Sequence, residues 1–447
     1  REMRARILPG GAFGGTVSVP GDKSIAHRWL ILAALASGRS ELRGLPGALD
    51  VARTARVVGD VFPGSATELH AWQAHMEVEG SLQGGSVLEV EGSAREGMRE
   101  PQGPLECGNS GTTMRLMAGV LGAGPFRSVL SGDESLRRRP MERVAEPLRR
   151  MGASIETSEG CAPMTITGGP LRGIRWEMPV PSAQVKSAII LASLGAEGET
   201  EIVEPAPTRD HTERALAFLG APIVSDGGRI RVRAFRPQGF GGLVPGDPSS
   251  AAFLLAGAAI GGSELVVTGV GLNPTRTRFL AVLRRLGARV EEEPSTTSVG
   301  EPAGRIRIDR AGRLEGTAVS AGELPLVIDE VPALAVVAAH GDGETRFEGA
   351  AELRVKESDR LSGLAEGIRE LGGEAEIQGD ALVVAGGGLV GGSADARGDH
   401  RLAMALAVGA LGASGPCEVD GIESASISFP GFVPTMRRLG ASVEVEG

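Results

Sequence analysis

Polar and apolar positions follow a coarse repeat along this chain. Six times a short polar cluster opens an apolar, alanine-rich run of helical length: GDKSIAHRWLILAALA from Gly21, GNSGTTMRLMAGVLG from Gly108, PSAQVKSAIILASLG from Pro181, GDPSSAAFLLAGAAI from Gly246, IDEVPALAVVAAHG from Ile328 and GDHRLAMALAVGALG from Gly398. Runs that are apolar on every side predict buried helices, and the Ser, Asp, Asn or Gly before them are good N-caps. Five times a second, amphipathic helix ends in a Leu-Gly or Met-Gly step followed by alternating residues: LRRMGASIE from Leu148, AFLGAPIV from Ala217, LRRLGARVEE from Leu283, IRELGGEAEI from Ile368 and MRRLGASVEVE from Met436. The glycine reads as a left-handed helix stop, and the alternation as an exposed strand. Each unit therefore holds strands, one buried helix and one amphipathic helix. Six such units, about one per 75 residues, predict an α/β protein of two domains with three units each.

Composition narrows the function. The 447 residues carry a formal charge of −10, which argues against general nucleic-acid or anionic-membrane binding. If the ligand is an anion, positive charge has to be gathered locally against the global sign. Cys107, Cys161 and Cys417 are widely spaced and odd in number, so they form no disulfide framework and no zinc-type pair. No apolar run is long and charge-free enough to span a bilayer, and the first residues do not form a signal peptide. The expectation is a soluble, cytoplasmic protein. Of 46 basic residues only Lys23, Lys186 and Lys356 are lysine, each beside other polar residues at the start of an apolar stretch. An ammonium is a compact point charge that transfers protons, whereas a guanidinium is a permanently charged planar fork.

Several helix starts carry candidate chemistry. In GDKSIAHR, Ser24, His27 and Arg28 fall on one face of the first turn behind Lys23, a phosphate-binding set. GNSGTTMR lets backbone N–H groups approach an oxyanion. Downstream, Arg139 before Pro140 reads as extended and inward, and Arg137 and Arg138 as surface. RVKESDR places Lys356, Glu357 and Arg360 on one helical face, with a surface ion-pair ladder as the structural alternative. Asp329 and Glu330 bound an apolar helix, with N-capping as the alternative for Asp329. His400 and Arg401 open the last one. The sequence offers no P-loop, serine triad, nucleophilic cysteine or metal-ligand cluster. The set fits transfer chemistry on polyanionic small molecules by acid–base catalysis and electrostatic preorganisation, with no cofactor and no metal.

GDKSIAHR, GNSGTTMR, RRRPM, SAQVKSA, TRDHTE, IDEVPALA, RVKESDR, GDHRLAMA and SFPGF, in this order, closely resemble the 3-phosphoshikimate 1-carboxyvinyltransferase (EPSP synthase) family. The SAQVKSA and RVKESDR forms are similar to its class II bacterial branch. The resemblance implies an inverse α/β-prism of six βαβαββ units. Residues 1–20 plus 245–447 would form one domain and 21–244 the other, with the active site in the cleft between them and closure on ligand. It implies transfer of the enolpyruvyl group of phosphoenolpyruvate to the 5-hydroxyl of shikimate 3-phosphate through a tetrahedral intermediate. Lys23, Ser24, Arg28, Ser182, Ala183, Gln184, Arg209, Asp329 and Lys356 would hold shikimate 3-phosphate. Lys23, Gly111, Arg139, Gln184, Arg360 and Arg401 would hold phosphoenolpyruvate. Asp329 with Lys356, and Glu357 with Lys23, would handle protons. Glyphosate would inhibit, and the protein would act as a monomer.

The chain departs from the family pattern at several places. Ile427 stands where many members carry lysine, Ala183 where a second serine is common, and Glu352 where some have asparagine; tyrosine is absent. The Ile427 change bears on phosphoenolpyruvate affinity. The UDP-N-acetylglucosamine 1-carboxyvinyltransferases would show Gly-Ala-Lys-Asn near the start and a loop cysteine before the Arg-Pro pair. This chain has GDKS and no such cysteine. A non-catalytic anion-binding protein would not need Asp329, Glu357, Lys23 and Lys356 intact.

Overall fold

A computed structural model describes residues 3–79, 87–310 and 312–447. The chain is a mixed α/β protein that divides into two compact units. One comprises residues 1–20, 245–296 and 302–447, and the other residues 21–244 and 297–301. Each has its own apolar core.

The six apolar runs are helices: Lys23–Leu35, Gly111–Leu121, Ala183–Ser193, Pro248–Gly261, Val331–Ala339 and His400–Gly409. Each is buried along nearly its whole length; in Pro248–Gly261 every residue from Pro248 to Ile260 is buried. A helix with no polar face is stable only when wrapped, and each fully buried Leu, Val or Phe contributes about 1.5–3 kcal/mol towards that. Five of the six starts are capped by a side chain. Asp22, Ser110, Ser182, Asp247 and Asp399 accept from first-turn N–H groups. The exception is Val331–Ala339. There Glu330 occupies the N-cap position without a capping bond and Pro332 supplies the rigid first turn, so Asp329 is not the cap.

Strands wrap these helices in a recurring order. In one sheet Leu105–Glu106 runs parallel to Arg127–Ser131, which is antiparallel to Cys161–Thr167, which pairs with Ser154–Ser158. Val129 faces Thr165 and Ile155 faces Ile166 in that register. The sheets built on Glu199–Val203 and Glu344–Phe347 repeat the order of one parallel edge followed by antiparallel neighbours. The N-terminal strand Arg4–Leu8 lies between Cys417–Asp420 and Ser442–Glu446, with Ala5 opposite both Val419 and Val445. This pairing places both chain ends in the same unit. The hairpin of Arg289–Ser298 and Glu301–Asp309 belongs to that unit too, except for its tip. At the tip, Val299 joins the other core and Glu301 meets His211.

Two helices of the first segment, Leu49–Val61 and Ala66–Glu79, carry no Leu-Gly signature. The first is stopped by Phe62, whose N–H bonds the Val58 carbonyl, with Pro63 after it. RVKESDR is not one helical face. A 3₁₀ segment ends at Val355 and the helix begins only at Arg360, because Asp359 takes the cap position and accepts from Ser362 N at 3.0 Å. Lys356 and Glu357 lie in the break.

The five glycines after the amphipathic helices (Gly152, Gly220, Gly287, Gly372, Gly440) have φ between 80° and 119°. At Gly440 a Cβ would also stand 2.0 Å from the Ala12 carbonyl oxygen. Gly440→Ala should therefore lower stability by at least about 1–2 kcal/mol, read as a drop in the midpoint of urea unfolding.

Candidate active site

In the unit of residues 21–244, polar groups collect at the first turns of three buried helices. Lys23 Nζ lies 2.8 Å from Asp50 Oδ2, with the two side chains 13% and 20% exposed. Burial would raise the Asp50 carboxyl, but the Lys23 charge and the His27 contact outweigh it and hold it well below the usual carboxylate range. His27 is buried, which depresses its pKa and keeps it neutral; its Nδ1 meets Thr54 Oγ1 at 2.7 Å. From Thr54 a chain of hydroxyls runs to Thr113 at 2.6 Å and on to Ser110 at 2.7 Å. It couples the Lys23 helix to the Gly111 helix.

Arg28 is fixed on three sides. Its Nε donates to Thr212 Oγ1 at 2.8 Å, Nη1 to the Ser24 carbonyl at 2.7 Å and Nη2 to Ser187 Oγ at 3.0 Å. Arg209 Nη1 reaches Ser24 Oγ at 3.3 Å. Arg115 donates to Gln184 Oε1 and, at 3.2 Å, to the Pro140 carbonyl, while Gln184 Nε2 donates to Thr112 Oγ1 at 2.8 Å. Arg139 is buried and donates to the Asn109 carbonyl at 3.3 Å; Arg137 and Arg138 are exposed. A Cβ on Gly111 would stand 2.9 Å from Arg115 Nη1 and 3.0 Å from Arg139 Cζ, so both guanidinium groups lie over bare backbone. Ser182 caps the third helix, with Ala183 and Gln184 in its first turn. Hydrogen bonds thus link the cations Lys23, Arg28, Arg115 and Arg209 to this frame, with Asp50 as the carboxylate bound to Lys23.

The other unit holds a denser acid–base set. Arg360 is buried and donates to Asp399 Oδ2 at 2.9 Å and Oδ1 at 3.2 Å, and to Glu357. Its Nη1 lies 3.7 Å from Asp329 Oδ1. Burial alone would lower the Arg360 pKa, but Asp399, Glu357 and Asp329 outweigh it and raise it further. Likewise burial would raise the Asp399 carboxyl, and Arg360 holds it down. Asp399 also accepts from Arg401 N at 2.9 Å, so one carboxylate caps the helix and orients the guanidinium. Arg401 donates to the Asp329 carbonyl at 3.2 Å and lies 3.5 Å from its carboxylate. Next to Asp329, Glu330 is pinned by Ser249 Oγ, which also accepts from Arg276 at 2.9 Å. Asp329, Glu357, Arg360 and Arg401 are therefore brought together; Lys356 adjoins them in the break after Val355. Ile427 ends a 3₁₀ segment and brings no charge.

Sequence reasoning missed Asp50, Arg115, Asp399 and Arg276. Arg115 and Asp399 stand inside motifs it quoted, and a polar residue in an otherwise apolar run was the available signal. Burial pushes the Cys107 thiol far up and that of Cys417 up to about 11, which leaves neither a nucleophile near neutral pH. Among the described residues no group of three or more His, Cys, Asp or Glu is placed to hold a metal ion, and no helix is long and apolar enough to cross a membrane.

Cationic helix starts in one unit and carboxylates held by arginine in the other, on a mixed α/β scaffold, suit an enzyme that acts on small anionic substrates. The EPSP synthase (3-phosphoshikimate 1-carboxyvinyltransferase) family profile matches residues 7–436. The 3-phosphoshikimate 1-carboxyvinyltransferase of Halorhodospira halophila is 48% identical over 447 residues, covering 99% of this chain and 97% of that one. That of Thermus thermophilus is 46% identical over 444 residues, covering 98% and 99%. The solved EPSP synthase of Acinetobacter baumannii superposes with a TM-score of 0.84 at 40% identity over 100% of both chains. The chain belongs to the EPSP synthase family, and its activity is that family's carboxyvinyl transfer in the biosynthesis of aromatic amino acids.

The depressed Asp50 pKa gives a pH signature. A carboxyl whose folded pKa lies below its unfolded value, about 3.9, contributes stability that is full above that value and is lost as pH falls towards the folded one. Wild type should exceed Asp50→Asn by roughly 1–3 kcal/mol at pH 7, and the margin should shrink below about pH 4 in urea melts.

Proposed function

We propose that the two residue sets serve one reaction, addition–elimination between phosphoenolpyruvate and shikimate 3-phosphate, the substrates the family implies. Lys23, Ser24, Arg28, Ser182, Ala183, Gln184, Arg209, Asp329 and Lys356 bind shikimate 3-phosphate. Lys23, Gly111, Arg139, Gln184, Arg360 and Arg401 bind phosphoenolpyruvate. The shikimate 5-hydroxyl adds to C2 of phosphoenolpyruvate while a proton reaches the C3 methylene, giving a tetrahedral ketal phosphate. Loss of a C3 proton then expels phosphate. Asp329, with Lys356, takes the hydroxyl proton; Glu357, with Lys23, serves the methylene.

The observation that carries this reading is the placing of Asp329. Its carboxylate lies 3.5 Å from Arg401 and 3.7 Å from Arg360, so a base stands beside two cations suited to the donor's anionic groups. Buried guanidinium groups fixed before the substrate arrives cost no reorganisation during the reaction. The absence of charge at Ile427 puts more of the donor's binding on Arg139, Arg360 and Arg401. The reading also includes membership of the class II-like bacterial branch, an inverse α/β-prism of six units, and action as a monomer in the cytoplasm.

Phosphate release from the two substrates tests it. Wild type should turn over, and Asp329→Asn and Lys23→Arg should each lose at least about a hundredfold in kcat with unfolding midpoints little changed. Absence of turnover in wild type would reject the reading.

Glyphosate is expected to compete with phosphoenolpyruvate over Gly111. Because a methyl there meets Arg115 and Arg139, Gly111→Ala should raise the glyphosate inhibition constant by at least about tenfold, more than it raises KM for phosphoenolpyruvate. Unchanged competitive inhibition would exclude that placement.

A further inference from the structure

Lys186 stands outside both residue sets, yet it is one of three lysines in a chain with 46 basic residues. It sits in the helix Ala183–Ser193 with its side chain 1% exposed. Its ammonium lies 3.0 Å from Glu204 Oε1 and 2.7 Å from Glu213 Oε1. Glu204 directly follows the strand Glu199–Val203, and Glu213 lies in the first turn of the helix His211–Phe218. The segment between them carries Arg209. One buried charge therefore grips both ends of the connection that presents this arginine. Glu204 also accepts from Thr208 Oγ1, the neighbour of Arg209. Beside the grip, Ser187 Oγ meets Thr212 Oγ1 at 2.7 Å, and both bond Arg28.

We propose that Lys186 is a positioning residue that sets the place of Arg209, and through it the preference for a phosphorylated acceptor. The proposal rests on the reading of Arg209 as a ligand of shikimate 3-phosphate. A guanidinium offers paired donors in one plane to one carboxylate. A point ammonium with three rotatable donors reaches two carboxylates that approach from different directions in a dry site. Burial alone would lower the Lys186 pKa, but Glu213 and Glu204 outweigh it and raise it, so the ammonium stays charged. Burial raises the Glu204 carboxyl in the same pocket, as expected where two acids share one cation. Without that cation, neither end of the connection is tied to the helix Ala183–Ser193, and the Arg209 segment is no longer held in one place.

Calorimetric titration with shikimate 3-phosphate and with shikimate separates this role from general support of the fold. In Lys186→Met the preference for the phosphorylated ligand should fall by at least about tenfold, while affinity for shikimate stays within about twofold. In an Arg209→Ala background, Lys186→Met should not lower the preference further. Equal loss of both ligands, or an unchanged preference, overturns the proposal. Should Lys186→Met fail to fold, the triple variant Lys186→Met, Glu204→Gln, Glu213→Gln removes the charges at constant shape. Thr208→Val cuts only the bond from Glu204 to the Arg209 segment. Both should shift the preference in the same direction, and no shift in either overturns the proposal. Wild type that shows no preference for the phosphorylated ligand and releases no phosphate would instead reject the parent reading of the site.

Discussion

A helix that is apolar on every side can display polar chemistry only at its ends, and the six buried helices impose that constraint on the whole chain. Their bodies make the two cores, so the polar groups of the candidate site fall in the first two turns of a helix or in the connection leading into one. There the helix dipole favours anions and the surroundings are poor in water, so each ionic contact is stronger than it would be at the surface. The backbone is only part of this attraction. Five of the six starts spend N–H groups on their own caps. Positive charge for an anion therefore comes mainly from side chains such as Lys23, Arg28, Arg139, Arg360 and Arg401. Asp399 shows the economy of the arrangement, since a single carboxylate ends a helix and aims Arg360.

The arginines divide into two populations by setting. At the surface, Arg305 pairs with Glu293 of the adjacent strand and Arg307 with Glu264, just before the strand Leu265–Gly271. Pairs of that kind contribute little to stability, typically 0–1 kcal/mol, and chiefly keep the surface charged and soluble. Arg276 and Arg360 are buried and tied to carboxylates, and there the loss of one partner leaves an uncompensated charge. The net charge of −10 is thus a statement about the surface and says little about the site.

The helix starts were legible because capping is local: a polar residue followed by an apolar run is readable within one turn. The five glycine stops were legible for the same reason. Partnerships across the fold were not. Lys23 and Asp50 are 27 residues apart, Arg360 and Asp399 are 39 apart, and Arg115 and Gln184 are 69 apart, and no periodicity connects them. RVKESDR departs from its helical spacing because the i, i+4 placement of Lys356 and Arg360 competes with a cap signal at Asp359, and the cap wins. The helix Leu49–Val61 lacks the glycine signal because a phenylalanine and a proline stop it instead.

The N-terminal strand has a consequence for biosynthesis. Arg4 is paired with Asp420, 416 residues away, and the same strand also needs Ser442–Glu446 as its other neighbour. At roughly 5–20 residues per second of translation, Arg4–Leu8 waits some tens of seconds for its partners. The residues from 21 to 244 emerge long before that, complete apart from the short hairpin tip at 297–301. The unit that comes out in the middle can therefore settle first on the ribosome. Arg4–Leu8, an inner strand of the finished sheet, cannot pair until both of its neighbours have been made, and in that interval its bare backbone groups leave the nascent chain open to mispairing.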